Sequence, residues 1–131
     1  MPYRGTTQEA MKKIILTDDD PGVQDAFRIV LERAGYSVQV FTNGNPLLEG
    51  AFDSPDLFIL DKQLSGVDGL DVCRHLKSQP ATLDVPIIMI SATPHASAWA
   101  LEAGADVFLE KPFRMKELLA AVSKCTEGTR V

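Results

Sequence analysis

Three stretches of the chain are apolar without interruption: Ile14-Ile15-Leu16, Leu57-Phe58-Ile59-Leu60 and Ile87-Ile88-Met89-Ile90. Runs this short, with no polar alternation, predict strands covered on both faces, as in a parallel sheet. Tyr36–Phe41 alternates instead, through Val38 and Val40, which predicts an outer strand, and Asp106–Leu109 predicts a fifth. Between the strands the period changes. Val23, Ala26, Phe27, Val30, Leu31 and Ala34 recur at helical spacing, entered by Asp20-Pro21 as N-cap and first turn and stopped by Gly35. Asn45-Pro46 opens a short second helix through Leu47 and Leu48, closed by Gly50. Gly66–Lys77 predicts a third helix, with Leu70, Cys73 and Leu76 on one face. An alanine-rich fourth runs from Ala96 to Ala103 and is closed by Gly104, and Met115, Leu118, Leu119 and Val122 mark an amphipathic fifth.

Five βα units with short links predict an α/β fold: a (βα)5 doubly wound parallel five-stranded sheet, order 2-1-3-4-5, with helices on both faces. The domain is expected over residues 12–125, preceded by a polar leader, residues 1–11, and followed by a tail, residues 126–131. With 131 residues the chain is one ordinary domain. Hydrophobic residues at 45% and charged residues at 24% give the balance of a globular protein. The net charge of −5 argues against a nucleic-acid surface, and Lys12-Lys13 is too short for a basic patch. Cys73 and Cys125 form no CxxC pattern, and with only His75 and His95 beside them a structural zinc site is not expected. The same cysteine usage excludes a disulfide framework and points to a reduced, cytoplasmic setting. No apolar run approaches the ~20 residues of a membrane span, and Met1–Ala10 lacks the apolar core of a signal peptide.

The chemistry lies where polar residues meet strand ends. Strand one is expected to end at Asp18-Asp19, strand three at Asp61, strand four at Ser91 and strand five at Lys111. In an open parallel sheet those ends share one edge, and ligands bind there where the strand order reverses. With order 2-1-3-4-5 the reversal falls between strands one and three, so the three acids are expected to meet. Capping and solvation explain Asp20 but leave Asp61, at the end of another buried strand, unaccounted for. A hard divalent cation resolves the repulsion, because Mg²⁺ takes carboxylate oxygens and phosphate oxygens together. Lys111 adds positive charge and Ser91 a hydroxyl. Acids, cation, hydroxyl and lysine describe a site for a phosphoryl group, in which one acid serves as nucleophile.

The segments IILTDDDP, LFILDKQLSGVDGL, IIMISA and GADVFLEKPF, in that order on successive strand ends, resemble the receiver domain of two-component response regulators, with its flavodoxin- or CheY-like fold. The resemblance runs from Lys12 to about Lys124. It implies that Asp61 accepts a phosphoryl group from a sensor histidine kinase or phosphotransfer protein. It implies that Asp18, Asp19, Asp61 and the backbone carbonyl of Gln63 hold Mg²⁺ or Mn²⁺. By the same resemblance Ser91 is the switch hydroxyl, Lys111 the phosphoryl counter-charge, and Phe108 the switch aromatic. Lys111–Pro112 matches a peptide bond that is usually cis, and Gln63 and Thr93 occupy positions that tune phosphoryl lifetime. Phosphorylation would then reshape the surface of helix four, strand five and helix five, which a downstream protein or output domain reads. A phosphorylation-dependent homodimer is a further partner, while neither membrane nor direct nucleic-acid binding is expected. Such a module catalyses only its own phosphorylation and dephosphorylation.

Some positions depart from the family pattern. Ser65 stands where proline is usual, which predicts a looser loop after Asp61. Lys62 stands where an apolar residue is common, and either perturbs phosphate affinity or points to solvent. Thr17 replaces a usual valine, with a packing effect only. Trp99 falls off the buried stripe of Ala96, Ala100 and Ala103, as a partner anchor or as a half-buried ring along the helix. His95 is expected to be a solvated loop residue near the site and His75 a helix-surface residue. Two rival readings are a haloacid-dehalogenase-like phosphatase, whose first motif Asp18-x-Asp20 loosely matches, and a degenerate receiver acting by binding alone. A third makes the chain part of a longer protein.

Overall fold

The computed structural model describes residues 11–127. Its five strands are β1 (Lys13–Thr17), β2 (Ser37–Phe41), β3 (Leu57–Asp61), β4 (Ile87–Ser91) and β5 (Val107–Glu110). All are parallel, in the order β2-β1-β3-β4-β5. Every residue of β3 and β4 is buried, which is why their sequences read as unbroken apolar runs. Within each run the residues still alternate between two faces. Ile15, Phe58, Leu60, Ile87 and Met89 belong to one core cluster. Ile14, Leu16, Leu57, Ile59, Ile88 and Ile90 belong to the other. Register keeps the alternation coherent: Ile15 lies beside Phe58, Ile59 beside Ile88, and Ile88 beside Val107.

Five helices cover the two faces: α1 (Pro21–Arg33), α2 (Asn45–Glu49), α3 (Gly69–Ser78), α4 (Ala96–Glu102) and α5 (Met115–Glu127). Phe27 and Leu31 of α1 and Leu118 and Val122 of α5 seal the second cluster, while Leu47, Leu70, Cys73, Leu76 and Ala100 seal the first. The buried side of α1 is narrower than its spacing implied, since Ala26 and Ala34 are exposed. The third helix begins at Gly69, three residues later than expected. Asp68 caps it by accepting the Leu70 N–H at 2.8 Å, and Gly66, at φ +85°, turns the chain before it. The last strand is displaced by one residue, because Asp106 is used as a side-chain acceptor at its entrance. The Asp106 carboxylate takes the Ile87 N–H at 2.9 Å and the Lys77 ammonium at 3.1 Å, and Lys77 also donates to the carbonyls of Val85 and Leu83. This tie between α3, β4 and β5 has no local sequence signature. The leader expected over residues 1–11 lies outside the described residues apart from Met11, as does the tail beyond residue 127; α5 continues through Glu127.

Two stability predictions follow from close packing near the strand ends. A Cβ added to Gly69 would fall inside the van der Waals shell of the Asp61 carbonyl oxygen and lie 2.7 Å from Lys62 Cα, both backbone atoms that cannot rotate away. Gly69→Ala should therefore cost about 1–3 kcal/mol in urea denaturation. Thr17 Oγ1 is fully buried and is the one buried side-chain polar atom without a partner among the described residues. Leaving such a group unsatisfied costs about 1–3 kcal/mol, so Thr17→Val should raise the denaturation midpoint.

Candidate functional site

β1 closes at Thr17, so the acidic run forms the following loop rather than the strand end. The three consecutive aspartates then separate by task. Asp20 is spent as the N-cap of α1: its Oδ1 accepts the Gly22 N–H at 2.8 Å and the Val23 N–H at 3.4 Å. Asp18 turns inward and is 2% exposed, its Oδ1 accepting the Asp20 N–H at 2.9 Å. Asp19 lies between them, half-buried, and its Oδ2 accepts the Ser65 hydroxyl at 2.8 Å.

Asp61 ends β3 and is 5% exposed. Its Oδ1 accepts the Gln63 N–H at 2.8 Å and its Oδ2 accepts from the Lys111 ammonium at 3.0 Å. Lys111 follows β5 directly and is fixed by its own N–H, which donates to the Ser91 carbonyl at 2.9 Å. The Lys111–Pro112 peptide bond is cis. Ser91, at the end of β4, is fully buried. Its hydroxyl oxygen accepts the Thr93 N–H at 2.9 Å and lies 3.4 Å from Gln63 Oε1, while Gln63 Nε2 donates to Thr93 Oγ1 at 2.8 Å. Gln63 and Thr93 thus join the loops after β3 and β4 across the edge. Phe108, on β5, packs partly buried against the first core cluster, with Met89 of β4 as its register partner.

The electrostatics are those of too many acids for too few cations. Burial raises the Asp18 carboxyl from its ordinary value of 3.8 to about 7, and the adjacent Asp61 carboxylate pushes it the same way. The Asp20 N–H and Lys111 pull it down without cancelling the burial. Asp18 is therefore hard to ionise, first because it is buried and then because Asp61 adjoins it, and both side chains offer the hard oxygens that suit a divalent cation such as Mg²⁺. The three acids expected at this edge are not equally placed. Among the described residues no three His, Cys, Asp or Glu side chains are gathered to hold an ion. Asp18 and Asp61 adjoin, but Asp19 is engaged with Ser65.

Other expectations change in the same region. The loop after Asp61 is not loosened by Ser65. It is closed by the pairing of Gln63 with Asp68, by the Gly69 N–H on the Lys62 carbonyl at 2.8 Å, and by the Ser65–Asp19 bond. Lys62 does not point to solvent: its side chain is 11% exposed, its ammonium pairs with Asp68 at 3.4 Å, and it lies 5.8 Å from the centre of the Trp99 ring. Trp99 itself is 47% exposed, off the buried stripe of α4. His95 is exposed and adopts φ +64° immediately before α4. Ser65 as a partner of Asp19, and Lys62 as a partner of Trp99 and Asp68, were not visible in the sequence, since each contact joins segments brought together only by the sheet.

Known proteins of similar sequence and fold identify the family. The family model described as the response regulator receiver domain matches residues 14–123. The DNA-binding dual master transcriptional regulator RpaA of Synechocystis is 39% identical over 115 residues, 86% of this chain and 48% of that protein. The response regulator MprA of Mycobacterium leprae is 39% identical over 121 residues, 90% of this chain and 52% of that protein. The chain thus spans about half the length of the curated relatives it matches. Among solved structures, the receiver domain of the Pseudomonas aeruginosa sensor histidine kinase PA1611, with magnesium coordinated in its active-site cleft, superposes with a TM-score of 0.82 at 27% identity, covering 90% of this chain and 99% of that one. The receiver domain of a signal transduction histidine kinase from Syntrophus aciditrophicus gives a TM-score of 0.84 at 30% identity, covering 91% and 92%. The parallel sheet in order 2-1-3-4-5, the family match over nearly its whole described length and these relatives place the chain in the family of response regulator receiver domains of two-component signalling.

Proposed function

We propose that Asp61 is the phosphoacceptor of this receiver and that the edge around it is a cation-assisted phosphoryl switch. The observation that carries the reading is the placement of Asp61: nearly buried, at the end of a central strand, with Lys111 3.0 Å from one carboxylate oxygen and the protonation-prone Asp18 alongside. The donor is a phosphohistidine on a sensor kinase or phosphotransfer protein. A carboxylate oxygen of Asp61 attacks phosphorus, the P–O bond forms as the P–N bond breaks, and the electron pair leaves on the imidazole nitrogen. Asp18, Asp19, Asp61 and the Gln63 carbonyl would hold Mg²⁺ or Mn²⁺, which supplies the positive charge that the acids lack and that the phosphoryl oxygens need.

The rest follows from this chain's own residues. Phosphorylation adds about −1.5 to −2 charges at Asp61. Lys111, already at the carboxylate, pairs with the new oxygens. The Ser91 oxygen accepts the Thr93 N–H at 2.9 Å, but its own proton meets only a long 3.4 Å contact to Gln63 and is free to turn to a phosphoryl oxygen. Phe108 follows into the space so opened, and the surface of α4, β5 and α5 changes for a partner, an output domain or a second copy. Gln63 and Thr93, bonded to each other over the edge, set the access of water to the acyl phosphate. The phosphatase reading loses its motif, because Asp20 is spent on capping α1. No helix among the described residues is long and apolar enough to cross a membrane, and we place the domain in the cytoplasm.

Two outcomes test this. Intact mass after incubation with Mg²⁺ and acetyl phosphate should show one added phosphoryl group, lost in Asp61→Ala and without Mg²⁺. An unmodified wild type, with a fast chemical trap also negative, would indicate a receiver that works by binding alone. The second outcome is a pH dependence. Folded Asp18 holds its proton to about pH 7 against an ordinary 3.8, so its contribution to stability is full below about pH 3.8 and is lost as pH rises through 7. In EDTA, Asp18→Asn should therefore gain stability over wild type progressively from about pH 4 to 7. Because the proton competes with the cation, Mg²⁺ affinity measured by calorimetry should rise between about pH 6 and 8 and then level off.

A further inference from the structure

The structure assembles two of the three acids that the site needs, and Ser65 accounts for the third. Its hydroxyl donates to Asp19 Oδ2 at 2.8 Å, across 46 positions of sequence, joining the β1–α1 loop to the β3–α3 loop. We infer that Ser65 is a positioning residue that holds the Asp19 carboxylate out of the cation site, so that binding a divalent cation must break or turn this bond. The inference rests on the reading of Asp19 as a cation ligand.

The two partners of this bond differ in how their backbones are held. Ser65 sits in a loop closed at its base by the Gln63–Asp68 pairing and the Gly69 N–H on the Lys62 carbonyl. Gly66, at φ +85°, fixes the turn that follows. On the other side, the backbone around Asp19 is held by the buried Asp18 and the capping Asp20, but the Asp19 side chain is only half-buried and turns about its own bonds. The Ser65 side chain is itself exposed, so the anchor is the closed backbone of its loop, and the carboxylate turns to meet the hydroxyl. The bond takes only one of the roughly four lone-pair sites of the carboxylate, so it opposes the cation by the direction in which it holds the group, and in that way it stabilises the cation-free arrangement. Ser65 thereby sets the cation affinity below what three converging acids would give, and makes cation occupancy responsive to concentration rather than permanent.

Calorimetric titration with Mg²⁺ at about pH 8, where Asp18 is ionised in the main, tests this directly. Wild type, Ser65→Ala, Ser65→Thr and Asp19→Asn are compared, with the EDTA melting temperature of each. Ser65→Ala should bind Mg²⁺ about three- to tenfold more tightly. Ser65→Thr keeps the hydroxyl and should stay within about twofold of wild type. In the Asp19→Asn background, Ser65→Ala should change the affinity by nothing measurable. Equal or weaker binding by Ser65→Ala, with Asp19→Asn impaired, overturns the inference alone; a change confined to its melting temperature, with Kd unmoved, does the same and leaves Ser65 a structural tie. Asp19→Asn binding like wild type, or a wild type that binds no Mg²⁺, overturns the ligand reading together with the inference.

Discussion

Two carboxylates, Asp18 and Asp61, are buried within reach of each other at the C-terminal edge of the sheet, and the single ammonium of Lys111 serves both. The protein tolerates this because the carboxylates sit on elements that cannot part: β1 and β3 are adjacent and covered on both faces, so their ends are held together by the core itself. The cost of the arrangement appears as the raised Asp18 carboxyl. What relieves it is positive charge, and what the site does with a cation and a phosphoryl group follows from that shortage.

The same edge connects the charge to distant surface. The Lys62 N–H donates to the Ile90 carbonyl and the Lys111 N–H to the Ser91 carbonyl, so the loops after β3 and β5 are both tied to the end of β4. The Lys62 side chain lies against Trp99 on α4. A change in charge at Asp61 thus meets groups belonging to α4 and β5 within a residue or two, without any long chain of contacts. Gly69 belongs to this economy as well, since only the lack of a Cβ lets α3 begin against the Asp61 carbonyl.

The sheet could be read from the sequence because burial on both faces leaves a local mark: unbroken apolar runs for β1, β3 and β4, alternation for β2. Helix existence was equally legible, while starts were less so. Gly66 and Asp68 look like a helix beginning in composition, but a positive φ at Gly66 and the Asp68 cap move the start to Gly69. Which residues reach the common edge followed from strand order; how their side chains are directed did not. Asp19 on Ser65, Lys62 on Trp99 and Asp106 between Lys77 and Ile87 are contacts across 46, 37 and 29 or 19 positions, and no period or spacing encodes them. The sequence also could not tell that Thr17 carries an unsatisfied hydroxyl, because burial and partnership are settled only by packing.

Burial and the neighbouring Asp61 keep Asp18 protonated until a cation arrives. Carbon-detected NMR of the Asp18 carboxyl through a pH titration measures this directly. In EDTA the Asp18 carboxyl should titrate with a midpoint near 7, falling markedly in saturating Mg²⁺ and by a smaller step in Asp61→Asn, which leaves the burial in place. A midpoint close to the ordinary 3.8 in EDTA, unmoved by either change, would mean that the two acids are already balanced and that the site has no need of the cation.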